Sequence, residues 1–200
     1  MVNNRYEALD IKQAVILGNG ESRLGVNYRE KYPGAFVYGC NGAYKETPDA
    51  LVCVDTYMQH LIYKSGYCKD NLCYFSEWDS MPSQVLDMMS GYFIYMNKQG
   101  NSDECVISGN EDNTYVTWVD LPDKVVKIPE VEISSGGNAL LHACQSTLYS
   151  NIYLLGFDGM GADNVYQNDE GYERSTPRNE WVEERKTIME KYSHINFKYI

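Results

Sequence analysis

Two hundred residues fit one domain, or at most two small ones, and the 44% apolar, 13% aromatic and 22% charged composition excludes a disordered or collagen-like chain. Asp plus Glu outnumber Lys plus Arg by 28 to 17, and the net charge of -11 disfavours binding to bulk nucleic acid or anionic lipid. No apolar run reaches the roughly 18 residues that cross a bilayer, and the polar first residues carry no hydrophobic signal region, so a cytoplasmic protein without a membrane span is expected.

In chain order, an apolar run over 14–17 predicts a first strand that stops at Gly18-Asn19-Gly20, with a helix opening after it. Runs over 35–38 and 50–54 predict two more strands, ending at Cys40-Asn41-Gly42 and Asp55. Continuous apolar runs separated by helical lengths imply parallel strands covered on both faces, since a one-sided antiparallel sheet alternates polar with apolar residues. A fourth strand is predicted over 72–75, a short helix over 81–90, and strands over 92–96, 105–107 and 115–119. The polar stretches 97–103 and 109–113, read as loops or hairpin turns, make this middle region a candidate antiparallel flap or lid. A strand over 125–128 resumes the sheet. The apolar spacing of Leu140, Leu141, Cys144 and Leu148 then predicts a helix over 138–150. A strand over 152–155, a polar loop to Pro177 that reads as a mobile active-site loop, a helix over 181–192 and a strand over 195–200 complete the chain. The expected fold is a single α/β Rossmann-like domain over residues 1–200, with a mostly parallel sheet, helices on both faces and a less regular middle flap.

The six cysteines (Cys40, Cys53, Cys68, Cys73, Cys105, Cys144) form no CxxC and no Cys/His pair at zinc-finger spacing, which predicts free buried thiols in a reducing compartment. The 18 tyrosines are expected to serve mainly as half-buried packing. Nothing in the sequence sets an oligomeric state.

In an open parallel sheet, ligands bind outside the carboxyl ends of the strands, and this sequence places polar residues there. Gly18, Asn19, Gly20 and Ser22 follow one predicted strand, Asn41 another, Asp55 a third and Asp158 a fourth. Small turns let backbone N–H groups approach a phosphate, and a following helix N-terminus adds its dipole. The turn lacks the GxGxxG pattern, because Arg23 stands at the third glycine position, and lacks the Gly-Lys-Ser/Thr of a P-loop. Ser134, Ser135 and Gly136 open the 138–150 helix and supply both a cap and a second anion cradle.

The ordered set of Ile16-Leu17-Gly18-Asn19-Gly20-Glu21-Ser22, Cys40-Asn41, Ser134-Ser135-Gly136 and Ile152-Tyr153-Leu154-Leu155-Gly156-Phe157-Asp158 resembles the motifs of the sialyltransferases, both bacterial and animal, in order and approximate spacing. The resemblance implies a Rossmann-like glycosyltransferase that moves a sugar from a nucleotide-sugar donor to a hydroxyl acceptor without a metal or other cofactor. It also implies donor contacts from Gly18, Asn19, Gly20, Ser22, Asn41, Ser134, Ser135 and Gly136, with Asp158 at the strand end beside the cleft. Those enzymes carry a histidine base before the last helix, whereas residues 172–180 here contain none; the three histidines, His60, His142 and His194, lie elsewhere. An inverting transfer then needs a carboxylate base, and Asp55, Asp158, Asp163 and Glu173 are the candidates. Arg174 and Arg178 suit the offsetting of leaving-group charge.

Two alternatives stand beside this one. The Gly-Asn-Gly-x-Ser turn and Gly-x-Asp strand end are also similar to the methanogen hydroxymethylpterin pyrophosphokinases, implying Mg²⁺-dependent phosphoryl or pyrophosphoryl transfer with Asp55 and Asp158 as metal ligands. The missing histidine suggests a non-catalytic nucleotide-binding module. For a transferase, the acceptor classes compatible with the sequence are a glycan, a small metabolite, a protein hydroxyl and a hydroxylated base in viral DNA, the last met by a local basic rim of Lys45, Lys64, Lys69, Arg174 and Arg178.

Overall fold

The computed structural model describes residues 12–76, 93–99, 102–110, 113–118, 124–129, 133–158, 164–169 and 179–200. Strands β1 (Gln13–Leu17), β2 (Phe36–Cys40), β3 (Ala50–Cys53), β4 (Cys73–Ser76), β8 (Val125–Ile128), β9 (Asn151–Leu155) and β10 (Asn196–Tyr199) build one seven-stranded sheet in the order β10-β9-β1-β2-β3-β4-β8. Every neighbouring pair is parallel, with Ile16 of β1 facing Tyr38 of β2 and Leu154 of β9. Strands β5 (Phe93–Gln99), β6 (Ser102–Asn110) and β7 (Asn113–Trp118) form a separate antiparallel sheet between β4 and β8 in the chain. The chain is therefore an α/β, Rossmann-like domain with an antiparallel insertion.

Parallel strands joined by right-handed crossovers place their connections on opposite faces according to the direction in which the sheet is traversed. The steps β1 to β2 to β3 to β4 run one way and carry α1 (Tyr28–Lys31), α2 (Thr56–Lys64) and α3 (Tyr67–Asp70) on one face. The returns from β8 to β9 and from β9 to β10 run the other way, and α4 (Ser135–Gln145) and α5 (Asn179–Lys191) cover the other face. The period-two alternation of the strands serves both layers. Ala14, Ile16, Val52 and Leu154 pack against Leu140, Ala143 and Ile188 of α4 and α5, while Leu51, Cys53 and Phe75 meet Met58, Ile62 and Cys68 of α2 and α3. Val15, Leu17 and Val37 form a third cluster with Ala43 and Leu155. Ile16, Leu17, Leu51 and Leu154 are completely buried, and each such side chain contributes roughly 1.5–3 kcal/mol. No helix among the described residues is long and apolar enough to cross a membrane.

Boundaries differ from the sequence expectation for local reasons. After Gly20 the chain makes a three-residue 3-10 turn, Glu21–Arg23, and then the four-residue α1. The left-handed Gly25 (φ 76°) separates them, and Leu24 beside it is 67% exposed. Helix α4 starts at Ser135 and stops at Gln145, because Thr147 adopts a left-handed conformation (φ 57°), which turns Leu148 out to solvent. The polar stretches expected as loops or hairpin turns hold the two junctions of the antiparallel sheet, and the strands run further into them than expected: β5 reaches Gln99 and β6 runs from Ser102 to Asn110. The helix expected over 81–90 lies outside the described residues.

Candidate functional site

Strand order reverses at β1. Its neighbour β2 follows it directly in the chain, while β9 on its other side arrives only after the whole excursion through β8 and α4. A crevice opens at such a switch point, outside the carboxyl ends of the strands. Here the turns after β1 and β9 are tied together: Gly18 N–H donates to the Leu155 carbonyl (2.7 Å) and Gly20 N–H to the Gly156 carbonyl (2.8 Å). A β-carbon at Gly18 would stand 2.4 Å from the Gly156 carbonyl oxygen, and one at Gly20 would stand 2.5 Å from the Asp158 carboxylate. Both glycines are thus demanded by the approach of two chain segments.

The remaining predicted residues gather along the same edge. The Asp158 carboxylate accepts from Ser22 N–H (2.8 Å) and from the Ser22 hydroxyl, capping the 3-10 turn across the crevice. Ser135 Oγ accepts from Val54 N–H (3.0 Å) beyond β3 and donates to Asn41 Oδ1 (2.8 Å) beyond β2, so the start of α4 is pinned over two strand ends. Ser134 Oγ accepts from Gly137 N–H (3.0 Å) as the N-cap of α4 and donates to the Glu184 carboxylate of α5, which also accepts from Ser134 N–H (3.0 Å). Gly136 lies beside the Phe157 ring, since a β-carbon there would meet Phe157 Cε1 at 2.8 Å. Asp55 is exposed and caps α2, accepting from Met58 N–H (2.8 Å). Gly18, Asn19, Gly20, Ser22, Asn41, Ser134, Ser135, Gly136 and Asp158 therefore sit at one edge, while Asp163, Glu173, Arg174 and Arg178 lie outside the described residues.

A network that the sequence reading did not anticipate lies under this edge. Arg23 is buried and makes a two-pronged pair with Glu46 (2.8 and 2.7 Å); its Nη2 also lies 2.6 Å from the Tyr166 hydroxyl, which in turn donates to Glu46. Burial by itself lowers the Arg23 pKa, but the Glu46 hydrogen bonds and the nearby negative charge raise it above its usual value. Burial raises the Glu46 pKa, and the bonds from Arg23 and Tyr166 overcome this and hold it below the ordinary carboxylate value. Arg23 also fills the space over Gly156, where a β-carbon would meet its Cδ at 2.9 Å, so the arginine at the third position of the failed GxGxxG pattern has a packing role.

Tyr166 belongs to a strap over the crevice. Asn164 bridges to Gly20, Val165 N–H donates to the Asn19 carbonyl (2.8 Å), Tyr166 packs on Gly42, and Asp169 pairs with Lys45 (2.6 Å). The stretch expected as a mobile loop is docked over its described part, 164–169.

Neither His142 nor His194 reaches the crevice. His142 lies in the last turn of α4 against Tyr74 and Tyr38, where burial lowers its pKa, and His194 is exposed near Tyr192. Five cysteines among the described residues are buried free thiols, and burial pushes Cys40 and Cys144 up to about 12. No group of three or more potential metal ligands occurs among the described residues. The second unanticipated residue is Arg185 of α5, 5% exposed, with its Cζ 5.0 Å above the Phe157 ring. It had a signal: Trp181, Arg185, Ile188 and Tyr192 follow helical spacing, so an arginine occupies a place in an apolar stripe. Comparison with protein-family models, curated proteins and solved structures finds no match to this chain.

Proposed function

We propose that the protein is a glycosyltransferase that binds a nucleotide-sugar at the β1/β9 switch point and passes the sugar to a hydroxyl acceptor. The observation that carries this reading is convergence: the Gly18–Gly20 turn, Asp158, Asn41 and the first turn of α4, far apart in the chain, share one edge of a parallel sheet. The N-terminus of α4 suits donor phosphate there. Asn41 and Ser135, already fixed by their mutual hydrogen bond, suit the nucleoside. Acceptor deprotonation falls to a carboxylate, and of Asp55 and Asp158 it is Asp158 that stands at the switch point.

Calorimetric titration with CMP, UDP, GDP and ADP and their common sugars, and with ATP, each with and without Mg²⁺, tests the proposal. Metal-independent binding of one nucleotide family is expected. Binding of ATP only with Mg²⁺ would replace this reading with phosphoryl transfer, and no nucleotide binding would remove it. Asp158→Asn keeps one acceptor for Ser22 N–H, so it should abolish turnover while leaving donor affinity within a few-fold; unchanged turnover would clear Asp158 of the role.

A further inference from the structure

Arg185 is buried, 5% exposed, and has no counter-charge among the described residues. Its Nε is enclosed and makes no hydrogen bond, and its one contact of electrostatic character among the described residues is the Phe157 ring. Nearby carboxylates are committed elsewhere. Glu184 precedes it on α5, but successive helical residues point about 100° apart, and Glu184 is bound to Ser134. Asp158, next to Phe157, is bound to Ser22. A guanidinium whose Nε is enclosed without a hydrogen-bond partner is costly to leave uncompensated, and an anion brought by a ligand would supply the missing counter-charge.

What surrounds it fits an anion. Phe157 touches both elements: the Arg185 guanidinium carbon lies 5.0 Å from its ring centroid, and a β-carbon at Gly136, in the first turn of the 11-residue helix α4, would meet its Cε1 at 2.8 Å. In that turn Ser134 N–H is taken by Glu184 and Gly137 N–H by Ser134 Oγ. The N–H groups of Ser135 and Gly136 have no acceptor among the described residues and carry the positive end of the helix dipole.

We infer that Arg185 and the first turn of α4 form an anion subsite, in which the guanidinium receives an oxyanion group, phosphate or carboxylate, of the bound ligand. As a donor subsite this rests on the proposed function, whereas anion capture by Arg185 does not. The planar guanidinium pairs with either oxyanion through two N–H groups, which an ammonium cannot reproduce.

The test compares wild type with Arg185→Met and Arg185→Lys by thermal shift and calorimetry, using inorganic phosphate, pyrophosphate, acetate, and nucleotide-sugars with and without a sugar carboxylate. Arg185→Met, which keeps an apolar side chain under Phe157, should melt at or above the wild-type temperature without anions. It should also lose roughly 10- to 100-fold in affinity for the anion that stabilises wild type, the range expected for hydrogen bonds to a charged group. A loss confined to carboxylate-bearing sugars assigns the subsite to the sugar; a loss shared with phosphate or pyrophosphate assigns it to the phosphates. Nucleotide-sugar binding equal in wild type and Arg185→Met would overturn the subsite while leaving the donor reading intact. Phosphate or acetate stabilisation that vanishes in Arg185→Met, with no nucleotide-sugar bound by either protein, would uphold the subsite and remove the donor reading. No anion stabilising the wild type would overturn the inference outright.

Discussion

Removing the Glu46 carboxylate tests the buried network. Glu46→Ala deletes the two hydrogen bonds from Arg23, of 2.8 and 2.7 Å, and the one from the Tyr166 hydroxyl, and leaves Arg23, whose side chain is 7% exposed, without its counter-charge. Breaking a buried ion pair from one side costs about 3–5 kcal/mol. Two features place this case at the lower end: Glu46 is 32% exposed, so water reaches the vacated position, and the Tyr166 hydroxyl stays 2.6 Å from Arg23. A loss of about 3 kcal/mol follows, which for a chain of this length lowers Tm by about 6–12 °C. Urea unfolding of Glu46→Ala, Arg23→Met and the double variant Arg23→Met/Glu46→Leu measures it, with the double variant expected to recover most of the loss because an apolar pair leaves no buried charge. If Glu46→Ala cost under about 1 kcal/mol, or if the double variant were no better than the sum of the singles, the network would not hold the strap as described.

Glu46 also sets an acid limb. Its folded pKa lies below the ordinary 4.5, so the stabilisation is complete above that pH and is lost as the pH falls through the folded value; Tm against pH should be flatter there in Glu46→Gln. Burial lowers the pKa of His142 below 6.5, so the folded protein keeps it neutral while the unfolded chain takes up a proton. Stability should therefore fall as the pH drops below about 6.5 toward the folded value, a decline that His142→Phe removes in the same scan. Gly156→Ala should cost at least about 1–2 kcal/mol for the left-handed backbone alone (φ 72°), and more because the β-carbon would meet Arg23 Cδ at 2.9 Å; chemical denaturation that finds less would refute the packing described. The five buried thiols should react with a thiol reagent only on the timescale of unfolding, and fast native-state labelling of Cys40 or Cys144 would contradict their burial.

The central strands were legible because strands covered on both faces carry unbroken apolar runs, as in Ala14 to Leu17 and Leu51 to Cys53, and no helix of that length competes. The convergence of Gly18, Gly20 and Asp158 was legible too, since strand ends of a parallel sheet share one edge. Helix boundaries were less so: Leu148 continues the apolar spacing of α4, yet the left-handed Thr147 ends the helix first. The Arg23, Glu46 and Tyr166 network joins residues up to 143 positions apart, and no local pattern announces it. Asp55 shows the converse, a strand-end carboxylate whose observed bond is the capping of α2.

The insertion carrying β5, β6 and β7 occupies the place of a crossover. Strands β4 and β8 are adjacent and parallel, so the chain leaving Ser76 at the carboxyl edge must travel back to the amino edge before Val125 can pair beside Cys73. In most α/β folds a helix makes that journey, and here an antiparallel sheet accompanies it. The domain can therefore exchange this module for another of any architecture, provided that it spans the sheet; a helix of about 10–12 residues would do. A tight turn would not, because it would reverse β8 and convert the edge of the sheet to an antiparallel one.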